Sequence, residues 1–314
     1  QESRGLGDVY KRQICEWIKK KENKIMHILE WNINQATNIS NKNLIPGFVV
    51  DEVIKNNPDI FIFTEFAKTR NYIDVESKLK KNGFDCAVTN NDACKQNDVL
   101  IAWKDDIFGI DRDKIEKPLA IDDMPEVLIV PLNWMGIKFI VAGLRIKLFN
   151  NDYLKRKKQL ENVMDLIGKQ FSDYKYCIIG GDFNNNKSDY KNCQWRDKWS
   201  LGVIDSIAKN NNCIRKTPDS SDGSSIYQKN NYILFQEDHF LVSKGIEVND
   251  VHYCRNFAKC NSDIYLHGED FQVYNSQIRT VTWTIPFGSG VPDHAMLIAD
   301  FEMLECEENK DEPK

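Results

Sequence analysis

The chain lacks any continuous apolar run near the roughly 18 residues that a membrane-spanning helix needs. It also lacks the apolar stretch near its start that would mark a secretory signal. Basic excess is absent: 42 lysines and arginines stand against 47 acids, a net charge of −5. That balance argues against tight, non-specific nucleic-acid binding driven by net charge. It leaves open a nucleic-acid substrate, because an enzyme that must release its product can use a local patch and a metal ion. No Cys-x-x-Cys pair occurs, and nine scattered cysteines read as reduced thiols in a cytoplasmic protein. His252, Cys254, Cys260 and His267 are zinc-type ligands, but their spacing fits no standard finger. Internal repeats and low-complexity linkers are missing too.

What is present suits a globular protein with a substantial core, 41% hydrophobic and 28% charged. A length of 314 residues fits one large domain or two small ones. The opening "QESRGLGDVYKRQ" has no initiator Met and no apolar period, and reads as foreign to the fold. Residues 1–23 are therefore expected to be a leader and residues 24–304 the folded domain. Residues 305–314, with five acids against two lysines, are expected to be an acidic tail.

Strand and helix signals alternate along the domain. "KIMHILEWNIN" (residues 24–34) is apolar and ends in amides. "VVDEVIKNN" has helical spacing, and "DIFIFTEF" reads as a buried strand ending near Glu65. "YIDVESKLKKNG" predicts an amphipathic helix stopped by Gly83. "FDCAV", "DVLIAW", "VLIVPLNW" and "KFIVAGLRIKL" read as successive strands. A long helix follows, with Asp152 as N-cap and Leu154, Leu160, Val163, Met164 and Ile167 on its inner face. "YCIIGGDFNNN" is the next strand and its end. "DYKNCQWRDKWSLG" predicts a helix, and "SIYQ", "EDHFLVS" and "DHAMLIADFEML" predict late strands. Residues 249–290 resist assignment. Several strands follow one another directly, which favours an α/β domain of two packed mixed or antiparallel sheets.

Polar residues gather where strands end or begin. Asn32 and Asn34 end the first strand, Glu65 the second, and Asp182 and Asn184 the "IIGGDFN" strand. Asp238-His239 and Asp293-His294 open the last two. If those strands lie side by side, the clusters converge on one rim. Carboxylates, amides and a histidine there would suit a hard divalent cation.

"EWNIN", "PDIFIFTE", "IIGGDFN", "EDHFLVS" and "PDHAMLIADF", in that order, resemble the endonuclease/exonuclease/phosphatase superfamily. That group includes pancreatic-type deoxyribonucleases, abasic-site endonucleases, inositol-polyphosphate phosphatases and sphingomyelinases. The resemblance spans roughly residues 24–303. It implies a four-layered α/β sandwich and cleavage of phosphate esters dependent on Mg²⁺, with Mn²⁺ as a substitute. It implies that Glu65 is the principal metal carboxylate, that Asn32 supports metal or phosphate, and that Asp293 lies beside them. Asn34 sits where some members have an aspartate. Asp182 and Asn184 would orient or activate the attacking water, and Asp238 would orient His294. A nucleic acid is the expected substrate, a small phosphate ester the alternative, and a non-catalytic binding domain on this fold a third reading.

Chemistry asks for these residue types independently. A phosphodiester's charge repels a nucleophile, and a divalent cation neutralises it. Water needs a base and an orienting amide. An imidazole held by a carboxylate can donate to a phosphate oxygen.

One block departs from the family pattern. Many members carry a histidine in the strand before the long helix, where this chain has "AGLRIKL" with Arg145. An arginine cannot donate a proton for chemistry at neutral pH, but it can grip a phosphate through two parallel bonds. Arg145 thus reads as a phosphate clamp or as a structural ion pair. The run Lys155-Arg156-Lys157-Lys158 reads as a solvated face or a phosphate-backbone patch. Trp283 reads as core or as a base-stacking ring.

Overall fold

Two strand–helix–strand units set the frame of the computed structural model. It describes residues 25–35, 44–89, 97–148, 152–185, 199–218, 236–261, 263–274, 277–286 and 290–304. In the first unit β1 (Ile25–Asn32) and β2 (Ile60–Phe66) run parallel, joined through helix α1 (Gly47–Asn56). In the second, β7 (Ile137–Arg145) and β8 (Tyr176–Asp182) run parallel, joined through α3 (Tyr153–Gln170). Every other described strand pairing is antiparallel.

The first sheet has the order β11-β14-β1-β2-β4-β3. It adds β3 (Phe84–Val88), β4 (Asp98–Lys104), β11 (Ile246–Cys254) and β14 (Met296–Met303). The second has the order β5-β6-β7-β8-β10-β9. It adds β5 (Gly109–Ile110), β6 (Glu126–Trp134), β9 (Cys213–Lys216) and β10 (Asp238–Ser243). Between them Ile62, Ile101, Val141, Ile178, Phe240 and Phe301 form the central core. Each fully covered side chain of this kind contributes about 1.5–3 kcal/mol. Helix α1, α2 (Tyr72–Lys81) and the short α5 (Asn256–Cys260) cover the outer face of the first sheet. Helix α3 and α4 (Leu201–Asn210) cover the outer face of the second. The result is the four-layered α/β sandwich anticipated from the sequence.

Local chemistry follows the sequence with one correction: Leu154, expected on the inner face of α3, is 70% exposed, and Tyr153 is buried at that turn instead. Asp152 caps α3 by accepting from the Lys155 N–H at 3.2 Å. Gly83 follows α2 with φ of 77°, a left-handed position that suits glycine. The hard-to-read segment 249–290 holds most of β11, then α5, then a hairpin of β12 (Tyr265–Tyr274) and β13 (Gln277–Pro286). Trp283 lies on β13. The "SIYQ" strand and most of the "DYKNCQWRDKWSLG" helix fall outside the described residues, and the described helix there starts at Leu201. The leader and the acidic tail also lie outside them. Among the described residues, no helix is long and apolar enough to cross a membrane.

Glycines let the two sheets close tightly under one rim. A Cβ on Gly180 would lie 2.8 Å from Ile62 of the opposite sheet and 2.8 Å from Phe240. A Cβ on Gly181 would lie 1.9 Å from the Leu144 carbonyl oxygen on neighbouring β7. Backbone cannot yield as a flexible side chain does. Gly181→Ala is therefore expected to cost about 3 kcal/mol and to lower the thermal midpoint by roughly 6–12 °C. A midpoint equal to that of the wild type in differential scanning calorimetry would refute this packing argument.

The second sheet's outer face carries one buried imidazole. His239 Nδ1 meets the Thr217 hydroxyl at 2.7 Å, and Nε2 meets Asn185 Oδ1 at 2.8 Å. Asn185 spends its amide N–H on the Gln236 carbonyl, so its oxygen faces the ring and Nε2 carries the proton. Both ring nitrogens are satisfied in the neutral form. Burial, aided by the Arg215 charge, holds the imidazole well below its usual pKa. Unfolded His239 takes up a proton near pH 6.5 that the folded one refuses. This group's stabilisation is thus full above that pH and falls as pH drops, by about 1.4 kcal/mol per unit. Urea titrations at pH 7.5 and 5.5 should show a steeper acid loss for wild type than for His239→Gln. Equal losses would contradict the assignment.

Candidate active site

Strand direction explains why distant residues meet. The parallel strands β1, β2, β7 and β8 all end at one rim, bringing Asn32, Glu65, Arg145 and Asp182 there. The antiparallel neighbours β10 and β14 begin at the same rim. Asp238 opens β10 directly opposite Asp182. His294 precedes β14, which runs beside β1.

Glu65 reaches the rim through a bulge. The β2–β4 register shifts between Phe63 and Phe66, and both rings stay in the helix-side core. Strict alternation would place one of them on the other face. The extra residue takes up the difference: Glu65 has a left-handed φ of 48°. Thr64 is left on the inter-sheet side, where its hydroxyl donates to Glu30 Oε1 at 3.0 Å.

Two Asx turns of the same form shape the neighbouring strand ends. The Asn34 N–H donates to Asn32 Oδ1 at 3.0 Å, and the Asn184 N–H donates to Asp182 Oδ1 at 2.8 Å. Asn34 and Asn184 both have positive φ, 54° and 47°. Across the sheets, Asn32 Nδ2 donates to Asp182 Oδ2 at 3.1 Å. Asn184 Nδ2 donates to the same oxygen at 3.0 Å and to the Ile146 carbonyl at 2.7 Å. The Asn184 amide thus uses both N–H bonds inside the protein and keeps only its carbonyl oxygen for a ligand. Asp182 accepts three bonds, leaving one of about four lone-pair positions.

His294 Nδ1 meets Asp238 Oδ2 at 2.8 Å, with both side chains buried. The loop carrying His294 is held by four donors through its carbonyl groups. Gln35 donates to Gly290, Asn34 to Val291, the Tyr265 hydroxyl to Pro292, and the Trp31 indole to His294. Asn34, considered for the aspartate-like position, has its amide on this loop.

Arg145 Nε donates to Glu65 Oε1 at 2.7 Å and lies 3.8 Å from Asp182 Oδ2. The ion-pair reading is what the geometry displays. The adjacent basic run divides. Lys155 pairs with Asp122 and Lys157 with Glu161, while Arg156 is buried and its Nη1 donates to the Asn184 carbonyl at 2.9 Å. Arg156 therefore braces the Asn184 loop, a role hidden inside a run of four basic residues.

Two acids at the site escaped the sequence reading. Glu30 is fully buried two residues before Asn32, with Oε2 lacking a partner, and Glu237 precedes Asp238. A charged residue between Leu29 and Trp31 in a buried strand was the available signal. Burial and the nearby Asp238 and Asp182 carboxylates hold Glu30 well above the usual carboxylate range. Burial and Asp182 push Glu237 up to about 8. Burial and Asp238 push Asp182 up to about 7. Burial likewise raises Asp293, with His294 opposing and Glu65 adding to the rise. Burial alone would lower His294, but Asp238 outweighs it and holds the imidazole well above its usual value.

The site is thus short of positive charge. Its hard oxygen donors fit a divalent cation, and Asp238 Oδ1 is buried without a partner. Among the described residues, no three His, Cys, Asp or Glu side chains form a closed metal cage, the His252/Cys254/Cys260 grouping included. Mg²⁺ needs no such cage, since it keeps several waters and takes one or two carboxylates.

Fold and rim together describe a four-layered α/β sandwich with oxygen donors gathered at one edge of its two sheets. No family model matches the sequence, and no curated protein matches it. Solved structures share the fold. A Bacteroides thetaiotaomicron endonuclease/exonuclease/phosphatase family protein gives a TM-score of 0.58 at 13% identity, covering 90% of this chain and 98% of that one. D. rerio TDP2 with a single-strand DNA product gives 0.55 at 12%, covering 89% and 99%. The B. thetaiotaomicron mannosyl-6-phosphatase gives 0.57 at 13%, covering 88% and 99%. At such identities the likeness defines the fold.

Proposed function

We propose that this chain is a Mg²⁺-dependent phosphoesterase that hydrolyses phosphodiester bonds in nucleic acid. One observation carries the reading: Asn32, Glu65, Asp182 and the Asp238–His294 pair meet at one rim despite their separation in sequence. Glu65, Asn32 and Asp293 would hold the cation, which would neutralise the phosphate and support in-line displacement. Asp182 takes the proton of the attacking water at its remaining lone-pair position, and the side-chain oxygen Oδ1 of Asn184 orients that water. His294 keeps its proton through Asp238 and donates from Nε2 to a phosphate oxygen. Arg145 adds a second cation at the phosphate. The five described cysteines are free thiols, which suits the reducing cytoplasm.

The TDP2 structure with single-strand DNA supports the nuclease reading, and the mannosyl-6-phosphatase supports a small phosphate ester as the second. Bis-p-nitrophenyl phosphate with Mg²⁺ or Mn²⁺, with and without EDTA, tests the chemistry. A panel of supercoiled plasmid, single-stranded DNA, RNA, abasic duplex, inositol phosphates and sugar phosphates tests the substrate. Turnover that survives EDTA, or none on any substrate with any metal, would sink the proposal. Release from the small esters alone would replace the nuclease with the second reading.

A further inference from the structure

Arg145 and a divalent cation have competing claims on Glu65. The guanidinium Nε donates to Glu65 Oε1 at 2.7 Å, and both side chains are nearly buried, at 12% and 13% exposure. Glu65 is a bulged carboxylate at this rim, and a cation there must share with Arg145 the carboxylate whose Oε1 the guanidinium already holds, bringing two positive groups together. Arg145 cannot simply withdraw into water. Its strand register sets it opposite Asp182 on one side and Glu126 on the other. Among the described hydrogen bonds Arg145 uses Nε alone, so its two terminal nitrogens remain for another acceptor. A phosphate is the acceptor whose geometry matches that fork.

We propose that Arg145 couples metal binding to phosphate binding: it serves as the counter-ion of Glu65 until a cation takes that carboxylate, and then turns its fork to the substrate phosphate. This rests on the phosphoesterase reading. A cation alone pays for displacing a buried guanidinium and for leaving two positive groups side by side. A phosphate arriving with the cation removes that repulsion, because its negative charge sits between them. The coupling is a free energy shared by both ligands, so each must tighten the other by the same factor.

Mn²⁺ binding is measured by calorimetry with and without dimethyl phosphate, an unreactive diester probe. In wild type, dimethyl phosphate should tighten Mn²⁺ by at least about fivefold. In Arg145→Met, Mn²⁺ alone should bind about tenfold tighter than in wild type, and the phosphate effect should shrink. Unchanged or weaker Mn²⁺ binding by a folded Arg145→Met protein would overturn the proposal. Should that variant not fold, wild type decides by ¹⁵N NMR. The Arg145 Nε–H resonance should move on adding Mg²⁺ alone and move again with dimethyl phosphate, and a resonance indifferent to Mg²⁺ would overturn the proposal. Glu65→Gln separates the two levels. If it still binds Mn²⁺ like wild type, the metal assignment fails. If it loses Mn²⁺ while Arg145→Met shows no tightening, only the coupling fails.

Discussion

Asp182→Ala is expected to lower phosphodiester turnover by about 10³-fold, within the range for loss of a positioned general base, while the circular dichroism spectrum stays unchanged. Asp182 joins the two sheets' contributions to the site. It accepts from Asn32 of one sheet and from Asn184 twice at its own strand end. The substitution strands three N–H donors, each costing about 1–3 kcal/mol if left dry. It also removes the carboxylate that raises Glu237 and Glu30. These effects oppose each other, and water can enter the opened space at the rim, so the fold should survive the loss of chemistry. Steady-state kinetics with saturating Mg²⁺, beside a thermal melt, makes the check. Activity within tenfold of wild type would remove Asp182 from the role of base.

His294→Ala is expected to cost about 10²–10³-fold in turnover, the usual effect of deleting one donor to developing charge. It also leaves Asp238 buried with neither oxygen partnered by the imidazole, so a fall in stability should accompany it. A cleaner readout is the pH profile of Asp238→Asn. In wild type, Asp238 holds His294 well above its ordinary pKa against the opposing effect of burial. The active form carries the proton on His294, so this group sets the alkaline limb, where activity is lost as pH rises through its folded pKa, while protonation of the base Asp182 sets the acid limb. Without the Asp238 charge, burial dominates and the imidazole titrates lower. The alkaline limb of the rate profile should therefore move to lower pH in Asp238→Asn. An alkaline limb at the same pH in both proteins would show that His294 is not the donor. The donor assignment also fails if His294→Ala keeps full activity.

Much of the site was legible because strand ends announce themselves. Apolar runs such as "DIFIF" and "CIIGG" mark buried strands, and an acid at such a boundary needs a reason to be there. That logic pointed to Glu65, Asp182 and Asp238, which the fold brings to one rim. It missed Glu30 and Glu237. Glu30 lies inside a run, where its burial depends on a second sheet closing over it. It also left Arg145 open, since a clamp and an ion pair look alike until Glu65 is known to lie 2.7 Å away.

The sequence by itself determined which residues could be strands and which ends carried oxygen donors. Those properties are local: apolar alternation, turn chemistry and side-chain size. Only the tertiary structure decided the bulge that turns Glu65 toward Arg145, the Asn32 amide that reaches Asp182 from the other sheet, and the cover that raises the Asp182 pKa to about 7. Each of these depends on register and on what lies across the gap between two sheets. A linear pattern specifies neither, because residues 30, 65, 145, 182, 238 and 294 meet only when both sheets are in place.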